Sequence, residues 1–138
     1  MAQGYDKYDV VNYGFGLYVF TNALTALLYP PRRCNRGVVV DIHVNATVLF
    51  TAVTTPAYVR LGIAGDLDKY AELNLATTAS GAALNLPASG AYNPSNPNAF
   101  SVIDLVGDGA SYVTLSVVAP TGGSPAGTGY LNVALGWS

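Results

Sequence analysis

The stretch that decides the fold is GVVVDIHVNATVLFTAV, residues 37–53. Its side chains alternate, so one face of an extended chain carries Val38, Val40, Ile42, Val44, Ala46 and Val48, and the other carries Val39, Asp41, His43, Asn45 and Thr47. A period of two predicts a β-strand with one buried face and one polar face. Antiparallel sheets that cover a core on one side show this pattern.

The same alternation recurs further along the chain. In AYVRLGIA, Val59, Leu61 and Ile63 share one face, while Tyr58 and Arg60 share the other. The last strand, within YLNVALGWS, has a core face made of Leu131, Val133, Leu135 and Trp137. Both segments are predicted to be strands that pack on one core.

Turn-rich segments separate these strands, and no long helical pattern is present. GDGA at 107–110 predicts a tight hairpin turn between two strands, because Asp-Gly tolerates positive φ. PTGGSPAGTG at 120–129 predicts a long flexible hairpin tip, and 76–99 predicts loop with a short strand near 82–86. We therefore predict an all-β fold, an antiparallel β-sandwich that is Greek-key or jelly-roll-like, over residues 37–138.

The N-terminal part predicts a different role. In VVNYGFGLYVF, Val11, Tyr13, Phe15, Leu17 and Val19 share one face, and the glycines between them indicate close approach of another backbone. Two prolines follow, so residues 30–37 predict a connector. We predict that residues 1–36 form an extended N-terminal arm with its connector. The alternative is that they fold into the same sandwich.

The composition is that of a subunit packed against neighbours. Of 138 residues, 51% are hydrophobic and 10% are charged, against roughly 25% charged in an average domain. The net charge of −2 and the shortness of the one basic cluster, PPRRCNR, argue against nucleic-acid binding. No signal peptide or membrane span is expected, and the single cysteine allows no internal disulfide. We expect the chain to be made in the cytoplasm.

Few residues offer catalytic chemistry. His43 is the one histidine and shares a strand face with Asp41, but no G-x-S-x-G motif accompanies them. One histidine and one cysteine cannot supply a zinc site. PTGGSPAGTG lacks the G-K-[ST] ending of a phosphate-binding loop. We predict no catalytic residues, no metal and no cofactor.

One segment, IAGDLDKYAELNL at 63–75, gathers Asp66, Asp68 and Glu72. The two aspartates resemble the opening of a calcium loop, but Glu72 comes too early for its twelfth position. A glycosidase pair would need carboxylates facing each other across a cleft. A turn with solvated charges is the favoured interpretation, with loosely held Ca²⁺ as the alternative.

Two blocks carry a family resemblance. VRLGIAGDLDKYAELNL, 59–75, and SYVTLSVVAPTGGSPAGTGYLNVALGWS, 111–138, resemble small virion proteins of tailed bacteriophages. The resemblance implies a head decoration (cement) protein or a related minor structural protein without catalytic residues. It also implies the major capsid protein as partner, a homo-oligomer with a trimer favoured, and location in the virion after assembly in the host cytoplasm.

The predicted contact residues lie in the arm and connector. The aromatic anchors are Tyr5, Tyr8, Tyr13, Phe15, Tyr18, Phe20 and Tyr29. Arg32, Arg33 and Arg36 are expected to pair with acidic capsid residues. The alternative is that these aromatic side chains fill the protein's own core.

Two other function classes stay open. A phage fibre tip or carbohydrate-binding module would use exposed Tyr58, Tyr92 and Tyr112 in one groove. An enzyme would need a cleft that joins His43 to a carboxylate and a nucleophile.

Overall fold

The computed structural model describes residues 9–52, 54–75, 83–85 and 102–138. Within these ranges the regular structure consists of nine strands: β1 (Asp9–Val19), β2 (Leu24–Leu28), β3 (Arg36–Thr51), β4 (Tyr58–Ile63), β5 (Asp66–Asn74), β6 (Ala83–Asn85), β7 (Val102–Asp104), β8 (Val113–Val118) and β9 (Ala126–Trp137). All pairings are antiparallel. The predicted all-β sandwich is confirmed.

The strands form two sheets. The first sheet has the order β1-β9-β3. On the other edge of β3, β7 pairs with residues 36–38 and β6 pairs with residues 43–45. The second sheet has the order β2-β8-β4-β5. The first strands of the chain pair with the last ones in reverse order, as in a folded hairpin: β1 pairs with β9, β2 with β8, β3 with β7 and β6, and β4 with β5. Two pairs of consecutive strands lie in the same sheet, β4 with β5 and β6 with β7. All other consecutive strands lie in different sheets.

The core lies between the sheets, and β3 and β9 supply most of the first sheet's share. As predicted, Leu131, Val133, Leu135 and Trp137 point inward and are almost fully buried. Val59 and Leu61 of β4 face them from the second sheet and are fully buried, also as predicted. Burying each such aliphatic side chain contributes about 1.5–3 kcal/mol.

Residues 9–36 belong to the sandwich and not to an arm, so that prediction is corrected in favour of its alternative. β1 pairs with β9 from Asp9 opposite Trp137 to Val19 opposite Thr128. β2 extends the second sheet through β8. The apolar alternation of β1 matches the open edge of β9, and pairing there satisfies the backbone groups of both strands. Residues 1–8 lie outside the described residues.

A β-bulge in β1 changes which side chains face the core. The register with β9 shifts between Gly14 and Gly16, and Gly16 has a φ of +66°. Because a bulge inserts one residue, the alternation reverses beyond it. Leu17 and Val19, predicted to face inward, are therefore exposed, while Phe20 is fully buried.

The long strand β3 shows the same effect at both ends. Ile42, Val44 and Ala46 are buried in its centre, as the alternation predicts. A register shift between Val39 and Asp41 buries Val39 instead of Val38 and Val40. Shifts on both sides of Val48 leave it exposed, and Phe50, two residues further on, is buried.

The turn at 107–110 is present but does not close a hairpin, which corrects that prediction. It joins β7 in the first sheet to β8 in the second. Ala110 N–H donates to the Leu105 carbonyl (2.8 Å), Gly109 N–H donates to the Val106 carbonyl (3.2 Å), and Gly109 has a φ of +69°. This is the bonding of a single helical turn that ends at a glycine.

The segment predicted as a flexible tip also crosses between sheets, from β8 to β9. It is tied down at Thr121, whose N–H donates to the Thr55 carbonyl (2.9 Å) and whose carbonyl accepts from Thr54 (3.0 Å) and Thr55 (3.2 Å). The prediction of a free hairpin tip was therefore wrong. The short strand predicted near 82–86 is present as β6.

We predict that Gly37→Ala destabilises the sandwich strongly. A Cβ at this position would lie 2.2 Å from the Gly136 carbonyl oxygen, so the two neighbouring strands would have to separate. The expected loss of unfolding free energy is about 1–3 kcal/mol, measured by urea denaturation. Gly14→Ala is the matched control, because its Cβ would meet only Asn132 Oδ1 at 3.7 Å. Equal losses in the two variants would contradict this account of the close strand approach.

Candidate interaction surface

The outer face of the first sheet carries an exposed apolar band. Leu17, Tyr130 and Asn45 stand side by side on β1, β9 and β3, and the next row is Val19, Thr128 and Val48. The exposed fractions are 56% for Leu17, 53% for Tyr130 and 46% for both Val19 and Val48. We define these four residues as the apolar band.

The four side chains of the band are uncharged and lie in two adjacent rows of the sheet. Side chains directly opposite each other on antiparallel strands have Cβ atoms about 5 Å apart and lie on the same face. β9 contains no charged residue, β1 has only Asp9, at its first position, and β3 has only Arg36 and Asp41, both outside these two rows. Contiguous apolar surface of this kind marks interaction sites on soluble proteins.

The other half of the same face is polar. Asn132 Nδ2 donates to Asn12 Oδ1 (3.2 Å), and Asp41 and His43 lie on the neighbouring strand. His43 pairs with Asn132 on β9 and with Asn85 on β6, and Asp41 lies two positions before it on β3.

Most of the predicted aromatic anchors pack inside this chain. Phe20 is fully buried, with its ring centroid 5.0 Å from Tyr18 and 5.1 Å from Phe50. The Tyr13 hydroxyl accepts a hydrogen bond from Trp137 Nε1 (2.9 Å) and donates one to the Tyr29 carbonyl (2.8 Å). Phe15 is half-buried and packs against the core. Phe20 therefore belongs to the protein's own core, and Tyr13, Phe15 and Tyr18 pack against it. Contact of these residues with a partner stays a prediction, and Tyr5 and Tyr8 lie outside the described residues.

The connector residues do lie on the surface. Tyr29 is 60% exposed, and its ring centroid lies 5.3 Å from that of Tyr112. Arg32, Arg33 and Arg36 are all exposed. Arg36 is cross-strand to Asp104 and forms a loose ion pair with it at 3.7 Å. Their contact with a partner stays a prediction.

The carboxylates of 66–72 do not converge on one point. They follow one another along β5, an edge strand of the second sheet. Glu72 accepts a hydrogen bond from Arg60 Nε (2.5 Å), and the Arg60 guanidinium lies over the Tyr58 ring at 5.0 Å. In the part of the chain that the structure describes, no group of three His, Cys, Asp or Glu side chains could hold a metal.

A second polar cluster closes the end of the sandwich. The Tyr70 hydroxyl, buried in the core, donates to Asp108 Oδ2 (2.5 Å), and Lys69 Nζ lies 3.6 Å from Asp108 Oδ1. Burial raises the pKa of Tyr70 well above its usual value, and the hydrogen bond to Asp108 and the charges of Asp108, Asp104 and Asp66 raise it further. Tyr70 therefore stays protonated and ties β5 to the 105–110 turn.

The tyrosines proposed for a glycan groove do not share one. Tyr58 pairs with Val118 at the end of β8, whereas Tyr112 directly precedes Val113 at its start. A strand of this length separates them by roughly 15–20 Å. Tyr92 lies outside the described residues.

Comparisons with known proteins add little. No protein-family model matches the chain, and no curated protein matches it. One chain of a solved structure described as "Cyanophage Pam1 capsid asymmetric unit" is similar, with a TM-score of 0.46 and 18% identity. The match covers 99% of this chain and 89% of that chain. At these values the likeness assigns no function.

Among the described residues, no helix has the length and apolar character needed to cross a membrane.

We predict that Tyr70→Phe flattens the loss of stability at high pH. Because the folded-state pKa of Tyr70 is raised, its hydroxyl ionises first in the unfolded chain, and the unfolding free energy falls as pH rises above about 10. Urea denaturation between about pH 8 and 11 measures this slope. The variant should show a smaller slope, together with a loss of about 1–3 kcal/mol at neutral pH from the missing hydrogen bond.

Asp108→Asn serves as the companion variant. It keeps a side-chain oxygen that can accept from the Tyr70 hydroxyl but removes the charge that raises the Tyr70 pKa. Its slope should be no larger than that of the wild type and larger than that of Tyr70→Phe, because burial alone still raises the Tyr70 pKa in the folded state. Identical slopes in all three proteins would contradict the assigned role of Tyr70.

Proposed function

We propose that this protein is a non-enzymatic structural protein of the bacteriophage virion. More specifically, we propose a capsid decoration (cement) subunit that binds the outer surface of the head lattice and stabilises it. The apolar band is the observation that carries the proposal. Its four side chains are uncharged and about half exposed, which suits permanent cover by another protein.

The two sequence blocks that resemble phage virion proteins support the choice of a virion. Residues 59–75 form nearly all of β4, its turn and β5, and residues 111–138 contain β8 and β9. These strands include the central strands of both sheets. The resemblance thus covers the framework of the sandwich and the Tyr130 position of the apolar band.

We further propose that the sandwich is of the jelly-roll type. The nested pairing of β1 with β9, β2 with β8, β3 with β7 and β6, and β4 with β5 describes one long antiparallel hairpin wound into two sheets. Jelly rolls occur in viral capsid proteins and in lectins. Tyr58 and Tyr112 lie too far apart to line one glycan groove, which favours a capsid role over a lectin role here.

The partner in this proposal is the major capsid protein, and the mechanism is geometric. A subunit that binds the assembled lattice but not free capsid subunits shifts the equilibrium toward the assembled state. A homo-oligomer, with a trimer favoured at local threefold positions, presents several copies of the apolar band at once. Each further contact is then intramolecular, so modest contacts add up to tight binding. The protein would assemble in the host cytoplasm and remain in the virion.

The charged groups of the sandwich serve structure in this proposal. Glu72 is held by Arg60, and Asp108 by Tyr70 and Lys69. A decoration subunit needs no catalytic group and no cofactor, which agrees with the use of these side chains as internal ties.

We predict that the double substitution Leu17→Thr with Tyr130→Thr weakens binding to capsids at least tenfold, or about 1.4 kcal/mol. The substitutions remove apolar area from the band and leave the core unchanged. Light scattering of the protein mixed with native and expanded capsids, stripped of accessory proteins, measures the binding. Leu27→Thr is the matched control, because Leu27 is similarly exposed (46%) but lies on the second sheet.

Two results would contradict the proposal. Wild-type protein that binds neither form of capsid would remove the virion role. Equal loss of binding in the control and the double variant would show that the apolar band is not the capsid contact. Thermal unfolding of each variant checks that the fold is intact.

A further inference from the structure

Two arginines have no acidic partner among the described residues. The described part of the chain contains five Lys and Arg side chains. Three form ion pairs, namely Arg36 with Asp104, Arg60 with Glu72 and Lys69 with Asp108. The other two are Arg32 and Arg33, which are adjacent and exposed.

Arg33 is held in a backbone conformation that disfavours it. Its φ is +68°, the one positive value at a described residue other than glycine. It occupies the third position of a turn closed by a hydrogen bond from Cys34 N–H to the Pro31 carbonyl (3.0 Å). Glycine would adopt this conformation without strain. Strained residues that serve no internal contact are typical of functional positions.

The turn is fixed on both sides by the sandwich. The Tyr29 carbonyl accepts from the Tyr13 hydroxyl (2.8 Å), and the Asn35 carbonyl accepts from Leu105 N–H (3.0 Å). Cys34 packs against the core. The two guanidinium groups are thus presented by a backbone that is already ordered, which lowers the entropy lost on binding.

An exposed aromatic residue precedes the arginines in the chain. The Tyr29 ring packs against the Tyr112 ring at an angle of 56° and is 60% exposed. Tyrosine and arginine are the residue types that most often dominate protein interfaces. We define Tyr29, Arg32 and Arg33 as the arginine turn. It lies near the Asp9 end of β1, since Gly37 and Asp9 both pair with Trp137, whereas the apolar band lies toward the Val19 end.

We infer that the arginine turn is a second contact site, which docks on an acidic patch of a partner protein. Guanidinium groups bind carboxylates through paired hydrogen bonds. Two unpaired arginines on a chain of net charge −2 form no track along a nucleic-acid backbone, so an acidic protein surface fits better. The inference rests on the proposed function, in which the acidic patch belongs to the capsid lattice.

The substitution Arg33→Gly separates binding from stability. It removes one guanidinium and relieves the strained φ, so the thermal unfolding midpoint should stay unchanged or rise. Capsid binding at low salt should fall at least fivefold, and its dependence on salt concentration should become weaker. Lys69→Gln is the control, because it also removes one positive charge but from a side chain of the second sheet that pairs with Asp108; it should bind within twofold of the wild type.

Capsid binding by Arg33→Gly with wild-type affinity and wild-type salt dependence would overturn the inference while leaving the virion role in place. Wild-type protein that ignores capsids would overturn the proposed function instead. In that case retention on immobilised poly-L-glutamate decides the inference. Weaker retention of Arg33→Gly than of the wild type supports an acidic protein partner. Equal retention of the two proteins overturns the inference. Tighter binding to double-stranded DNA than to poly-L-glutamate also overturns it.

Discussion

The structure depends on the pairing of β9 along both of its edges. This strand holds β1 on one side and β3 on the other, while its inward side chains form the centre of the core. The strands approach so closely that a Cβ at Gly37 or Gly129 would meet the neighbouring backbone at 2.2 Å or 2.7 Å. Trp137 then links the first sheet to the second through Tyr13 and the Tyr29 carbonyl.

Bulges on either side of β9 decide which apolar residues form the core and which remain outside. The shift at Gly14–Gly16 in β1 and the shifts flanking Val48 in β3 turn Leu17, Val19 and Val48 outward. A strand sequence that alternates regularly can therefore build a core in one half and an interaction surface in the other. In the proposed function both surfaces are needed, one to hold the subunit together and one to hold it on the lattice.

The sequence predicted the strands whose alternation runs without interruption, namely β4, β9 and the centre of β3. It missed the apolar band because the bulges carry little local signal; only the glycines at 14 and 16 marked one of them. It misplaced residues 9–36 because the partner of Asp9 is Trp137, at the far end of the chain, and such distant pairing leaves no local pattern. The sequence placed Arg32 and Arg33 in an exposed connector, whereas the positive φ of Arg33 became visible only in the backbone.

The most direct test of the proposed virion role is a cryo-electron microscopy reconstruction of capsids incubated with the protein. The account predicts added density on the outer surface of the head lattice that fits the sandwich, with Leu17, Val19, Val48 and Tyr130 against the capsid or against a neighbouring copy. Capsids without added density, or density in which this face of the first sheet points to solvent, would contradict it.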